Sequence, residues 1–107
     1  MKIALMLCKK AADRCTGIGC FRSAKECSGG FSSHSPQDPA DIMAFFHCGG
    51  CEAGSGDGEI LAKRFEQLRK GDLKVIHLAS CMKKCERLIE IKKAVEENDF
   101  TCEVGSH

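Results

Sequence analysis

Short apolar runs alternate with longer amphipathic stretches along the chain, and this alternation predicts its elements. Lys2 to Leu7 is an apolar run of strand length that ends at Cys8. Lys9 to Arg14 is short and polar. Cys15-Thr16-Gly17-Ile18-Gly19-Cys20 turns from loop into helix, because Cys20, Ala24 and Cys27 then recur at helical spacing. Ser28 to Ala40 is rich in Gly, Ser and Pro and reads as a loop. Asp41 to Phe46 is a second strand. A helix is predicted from about Asp57 to Lys70, with Leu61, Phe65 and Leu68 on one face and Gly71 as its C-terminal cap. Leu73 to Ala79 is a third strand, followed by Ser80 and Cys81. Glu86 to Glu97 is another helix, with Leu88, Ile91 and Val95 as its core stripe, and Phe100 to Val104 is a short last strand.

Strands alternating with helices specify an α/β fold: three layers around a small parallel sheet of about four strands. The expected order is 2-1-3-4, flavodoxin-like or Rossmann-like. All strand C-termini of a parallel sheet lie on one edge, where such folds place their sites. Cys8 closes the first strand, Cys48 and Cys51 follow the second, and Cys81 and Cys85 follow the third. Three consecutive strands thus deliver cysteines to one edge.

Composition narrows the function classes. A chain of 107 residues reads as a single domain, 1–107. Its formal net charge is +1, with charges spread along the chain, so no electrostatic footprint for nucleic acid is present. The longest apolar run, Ile3 to Cys8, is too short to span a bilayer. Met1 to Leu7 briefly imitates a signal peptide, but Lys9 and Lys10 stand where a small-residue cleavage site belongs. The expectation is a strand and a cytoplasmic protein. Nine cysteines approach the density of a disulfide scaffold, but the count is odd and the strand–helix pattern supplies its own core. In a reducing compartment such thiols serve metals or redox chemistry.

Cys48-Gly49-Gly50-Cys51 is the centre of that chemistry. Two cysteines two residues apart can grip one ion or close a disulfide with each other. Zinc and iron–sulfur clusters usually take four thiolate ligands from more than one segment. Cys8, Cys48, Cys51 and Cys81 can supply them, with Cys85 as an alternative. Cys81 and Cys85 meet on one face if a helical turn has begun there. Helix N-termini after Cys51 and Cys81 would favour thiolate charge, whereas Lys83 and Lys84 read as solvated. Cys15 and Cys20 form a second pair able to join the edge. Cys27, one helical turn beyond an apolar face, and Cys102, in a strand, read as ordinary buried free cysteines. Among the histidines, His47 is a strand-end side chain beside Cys48, His77 is structural, and His34 is exposed in its loop. His107 is a frayed end, a tag residue or a ligand returning to the edge. Gly54-Ser55-Gly56-Asp57-Gly58 lacks the spacing of a dinucleotide or Walker loop. No Ser–His–Asp signature and no carboxylate pair adjoin the cysteine edge.

These segments together resemble the CGGC domain family of small bacterial and archaeal proteins. The resemblance spans essentially the whole chain. It rests on the first strand ending at Cys8, Cys15 to Cys20 with Phe21, Phe31, Phe46-His47-Cys48-Gly49-Gly50-Cys51, Val75 to Cys81, Cys85, and Gly105-Ser106-His107, which is similar to a Gly-Thr-His ending. The resemblance implies metal binding, with Cys8, Cys15, Cys20, Cys48, Cys51, Cys81, Cys85 and His107 as candidate ligands. It also favours His107 as a site residue over a tag. The expected function is therefore metal handling, sensing or electron transfer through zinc or an iron–sulfur cluster, with the metal ion as partner and no catalytic step. A thiol–disulfide oxidoreductase using Cys48 and Cys51 as its redox pair is the alternative, and a purely structural zinc is the third.

Overall fold

The computed structural model describes residues 1–48 and 56–107, with side chains in the third helix from 61 onward. Four strands, β1 (Lys2–Leu7), β2 (Asp41–His47), β3 (Val75–Leu78) and β4 (Thr101–Val104), form a parallel sheet in the order β2-β1-β3-β4. Among the described residues four helices accompany them: α1 (Lys9–Ala12), α2 (Ile18–Glu26), α3 (Gly56–Lys70) and α4 (Leu88–Glu97).

Right-handed crossovers explain where the helices lie. The chain steps one way from β1 to β2, then back past β1 to β3, and onward to β4. The reversal sends α2 to one face and α3 with α4 to the other. Side-chain packing agrees. Ile3, Leu5 and Leu7 bury against Cys20 and Ala24 of α2 and against Phe31. Ala4 and Met6 bury, with Ile76 and Leu78, against Leu61, Phe65 and Leu68 of α3 and Ile91 and Val95 of α4. The central strand β1 is therefore apolar at consecutive positions, as a strand covered on both faces must be.

Several local details differ from the sequence reading. Lys9–Ala12 forms a one-turn helix where only a polar connection is expected. Gly29–Phe31 is a 3-10 turn inside the predicted loop, and it sinks Phe31 completely. Ser80–Lys84 is also a 3-10 turn, and α4 begins at Leu88 rather than Glu86. Residues three apart eclipse in a 3-10 helix, so Cys81 and Cys85 do not share a helical face. No α-helix N-terminus stands at Cys81. The left-handed residue ending α3 is Asp72 (φ 60°), with Leu73 N–H donating to the Leu68 carbonyl at 3.1 Å, so Gly71 is not the residue that needs glycine.

Candidate functional site

In the order β2-β1-β3-β4 the crossovers leave β1 and β3 in opposite directions. Connections that diverge from adjacent strands open a crevice, and this switch point lies between β1 and β3. Cys8 follows β1 directly, and Cys81 lies three residues beyond β3. The Cys8 amide donates to the Cys81 Sγ at 3.3 Å, across a separation of 73 residues. Cys48 is on the other side of Cys8. Leu7 pairs with His47 in the ladder and the Cys48 amide donates to the Leu7 carbonyl at 3.0 Å, so Cys8 and Cys48 are the next residues in register. Cys48 is 2% exposed, while Cys8, Cys81 and Cys85 are half-buried against the same core. Cys51 falls outside the described residues.

Three sulfurs here accept backbone N–H bonds. Besides Cys81, Cys15 Sγ accepts from Gly17 at 3.3 Å and Cys85 Sγ from Arg87 at 3.4 Å. Such bonds favour sulfur that carries negative charge. Burial acts in the opposite sense. It pushes the Cys81 thiol up from its ordinary range; the Cys8 amide opposes this, and neighbouring Cys8 and Cys15 add to it. Burial likewise raises Cys20, against a bond with Ser106 and with help from Cys15 and Cys81. Cys8, Cys15, Cys20 and Cys81 thus lie close enough for charge on one to be felt by another. Among the described residues, however, no three His, Cys, Asp or Glu side chains stand together as a ready metal-holding group.

A cleft of about 730 Å³ opens at the switch point, lined by Cys8, Lys10, Ala11 and Arg14 after β1 and by Ser80, Cys81, Lys84 and Cys85 after β3. Glu86, Arg87 and His107 complete its rim. Lys84 thus borders the thiols, while Lys83 lies against Gly105. Gly56, Asp57 and Gly58 open α3, and the rest of that glycine-rich stretch lies outside the described residues.

The C-terminal segment returns to this edge. Gly105 N–H donates to the Leu78 carbonyl at 2.7 Å. Ser80 and Ser106 then exchange two bonds of 3.0 Å, each backbone amide donating to the other's hydroxyl. The Ser80 hydroxyl donates to the His107 carbonyl at 2.8 Å, and Ser106 Oγ lies 3.1 Å from Cys20 Sγ. Ser80 and Ser106 were not legible as site residues. The nearest signal is the run of glycines opposite. Gly30 passes so close to Gly105 that a Cβ there would lie 2.2 Å from its carbonyl carbon and oxygen. The His107 ring lies over Gly19 of α2.

The remaining histidines divide. His77 is fully buried, its ring 4.4 Å from that of Phe31, and its Nδ1–H donates to the Gly105 carbonyl at 3.3 Å. His34 is not the exposed loop residue its setting suggests: it is half-buried with its ring 5.7 Å from His77. The His47 carbonyl accepts from the Arg64 guanidinium, and burial, with Arg64 and Lys9 nearby, holds its imidazole below the ordinary range. Cys27 ends α2 in a left-handed conformation (φ 56°). Cys102 sits in β4, and burial pushes its thiol up to about 11.

No helix among the described residues is long and apolar enough to cross a membrane. No curated protein and no solved structure matches the chain. A family model, that of the CGGC domain, matches residues 2–107. With the four-cysteine-bearing edge and the tetrapeptide Cys48-Gly49-Gly50-Cys51 in place, the chain belongs to the CGGC domain family.

Proposed function

We propose that the protein binds a metal through cysteine thiolates at the C-terminal edge of its sheet, as zinc or an iron–sulfur cluster. The observation that carries this reading is the contact between the Cys8 amide and the Cys81 sulfur at the switch point, with Cys48 next in register. Thiolates from three segments suit a soft, tetrahedral metal or a cluster. Cys8, Cys48, Cys51 and Cys81 would hold it, and Cys15, Cys20, Cys85 and His107 flank them. The donor set fits the group in kind: Cys8 and Cys81 meet at the switch point and Cys48 is next in register, so soft sulfur donors arrive at one edge from three segments. When bound, the metal would supply a redox centre or an exchangeable ion, consistent with handling, sensing or electron transfer. Binding displaces thiol protons, and the N–H···S bonds orient the sulfurs. A reducing, cytoplasmic setting and a metal ion as principal partner belong to the same reading.

The oxidoreductase alternative is less well supported. An attacking thiolate needs access, and Cys48 is 2% exposed.

Anaerobic purification of the full chain, with elemental analysis and an absorption spectrum, tests the proposal. Visible bands with iron and sulfide select the cluster, and colourless protein with about one zinc per chain selects zinc. Cys81→Ser should lower the metal content in either case. Metal-free protein that loses and regains two protons at Cys48 and Cys51 alone would sink the reading in favour of the redox pair.

A further inference from the structure

The cleft is much larger than a metal ion requires. Its volume of about 730 Å³ is that of a site for a small organic molecule. Basic side chains outnumber acidic ones among the described residues that line it. Lys10 and Arg14 border it from α1 and the turn after it, and Lys84 from the opposite side. All three are exposed, and none has an ion-pair partner among the described residues. Among the described residues Glu86 is the acidic side chain that lines it, while Arg87 pairs with Glu90 at 2.7 Å. Cys8, Cys81 and Cys85 line the same cleft. A free divalent cation approaching these sulfurs must pass three positive charges, which oppose it. A polyanion is drawn in, and the guanidinium of Arg14 offers a planar pair of donors to carboxylate or phosphate oxygens.

We propose that this cleft binds small polyanions bearing carboxylate or phosphoryl groups, and that metal reaches the thiols as an anionic complex of such a molecule. The second half rests on the metal-binding reading above. In that transfer the thiol protons of the cysteines are released to solvent and the ligand departs as its free anion. Each metal–oxygen bond broken is replaced by a metal–sulfur bond, with no change of oxidation state.

The anion site is tested on metal-free, reduced full-length protein. Citrate and pyrophosphate are titrated in separately, with acetate as the monovalent control, and the amide resonances of Lys10, Arg14 and Lys84 are followed. Saturable shifts with citrate alone identify a carboxylate ligand, with pyrophosphate alone a phosphoryl ligand, and with both the shared chemistry. The double variant Lys10→Glu/Lys84→Glu should weaken binding by at least about tenfold, as should a rise in ionic strength. No saturable shift with either anion, or equal affinity in the variant, overturns the site. Zinc uptake then separates the two halves. The rate from zinc citrate relative to free zinc should fall by about tenfold or more in the same variant. An unchanged ratio overturns the delivery route. Protein that takes no zinc from the free ion in excess defeats the zinc form of the metal-binding reading and the delivery route with it, while the anion titration still decides the site.

Discussion

Gly30→Ala isolates the device that closes the site. A Cβ at Gly30 would meet the Gly105 carbonyl carbon and oxygen at 2.2 Å and the Ser106 nitrogen at 2.6 Å. All three are backbone atoms, so no side-chain rotation relieves the overlap. Contacts between carbon atoms are comfortable only near about 3.5–4.0 Å, so one strand of chain must move by more than an ångström. Two responses compete. If the segment shifts but stays docked, overpacking costs about 1–3 kcal/mol. If Gly105–His107 lifts away, the bonds from Gly30 to Ser106 and between Ser80 and Ser106 are lost, about 1 kcal/mol each. The two routes give a destabilisation of about 1–3 kcal/mol, or a melting point lower by roughly 5–20 °C. Urea melts followed by circular dichroism measure the first quantity. Alkylation of Cys20, which is 3% exposed beneath Ser106, separates the routes: it accelerates only if the segment lifts. Gly71→Ala is the control. A Cβ there comes no closer than 3.5 Å to its neighbours and the backbone is not left-handed, so stability should hold or rise by about 0.4–1 kcal/mol. A Gly30→Ala midpoint within about 0.5 kcal/mol of wild type would refute the reasoning.

Other consequences can be checked with the same preparations. Burial, with His34 adding to it, holds the His77 imidazole below its ordinary value of 6.5 against the Gly105 carbonyl. The unfolded chain therefore binds the proton first, and stability should be intact above pH 6.5 and decline as pH falls below it. His77→Phe should flatten that decline in acid melts, leaving the share of His47. Cys102 titrates near 11 against an ordinary 9.0, so its contribution should be present below pH 9 and lost as pH rises towards 11. An alkaline melt of Cys102→Ala that keeps the same slope would contradict this. Brief alkylation of native, metal-free protein, read by mass spectrometry, should modify exposed Cys15 well before buried Cys20 and Cys48.

The sheet was legible because its signals are local and strong. Ile3 to Leu7 can only be a strand covered on both faces, and the spacing of Leu61, Phe65 and Leu68 only one face of a helix. Parallel order followed from helix-length crossovers. The convergence of Cys8, Cys48 and Cys81 was then a matter of topology. What escaped depends on contacts between distant segments. Ser106 has no local mark of a site residue; its role appears only because Gly29 and Gly30 let the backbone after Gly105 pass at contact distance. His34 looked exposed because a Ser-rich sequence predicts a loop, and nothing nearby reveals that Phe31 anchors it against His77. The displaced start of α4 has a similar cause. Ser80–Lys84 winds as a 3-10 turn while its first residue bonds the C-terminal segment, and helical periodicity cannot distinguish that turn from a first α-helical one.

The position of β1 at the centre of the sheet has a kinetic side. Both of its neighbours come from far along the chain, and the Cys8–Cys81 contact spans 73 residues. Folds dominated by such distant pairings cross their barrier slowly, because loop closure precedes the contacts that reward it. Throughout that wait every thiol of the chain is open to solvent and to every other thiol. Mispairing by oxidation then competes with folding itself. Refolding yield should depend on reductant far more steeply than the stability of the finished structure does.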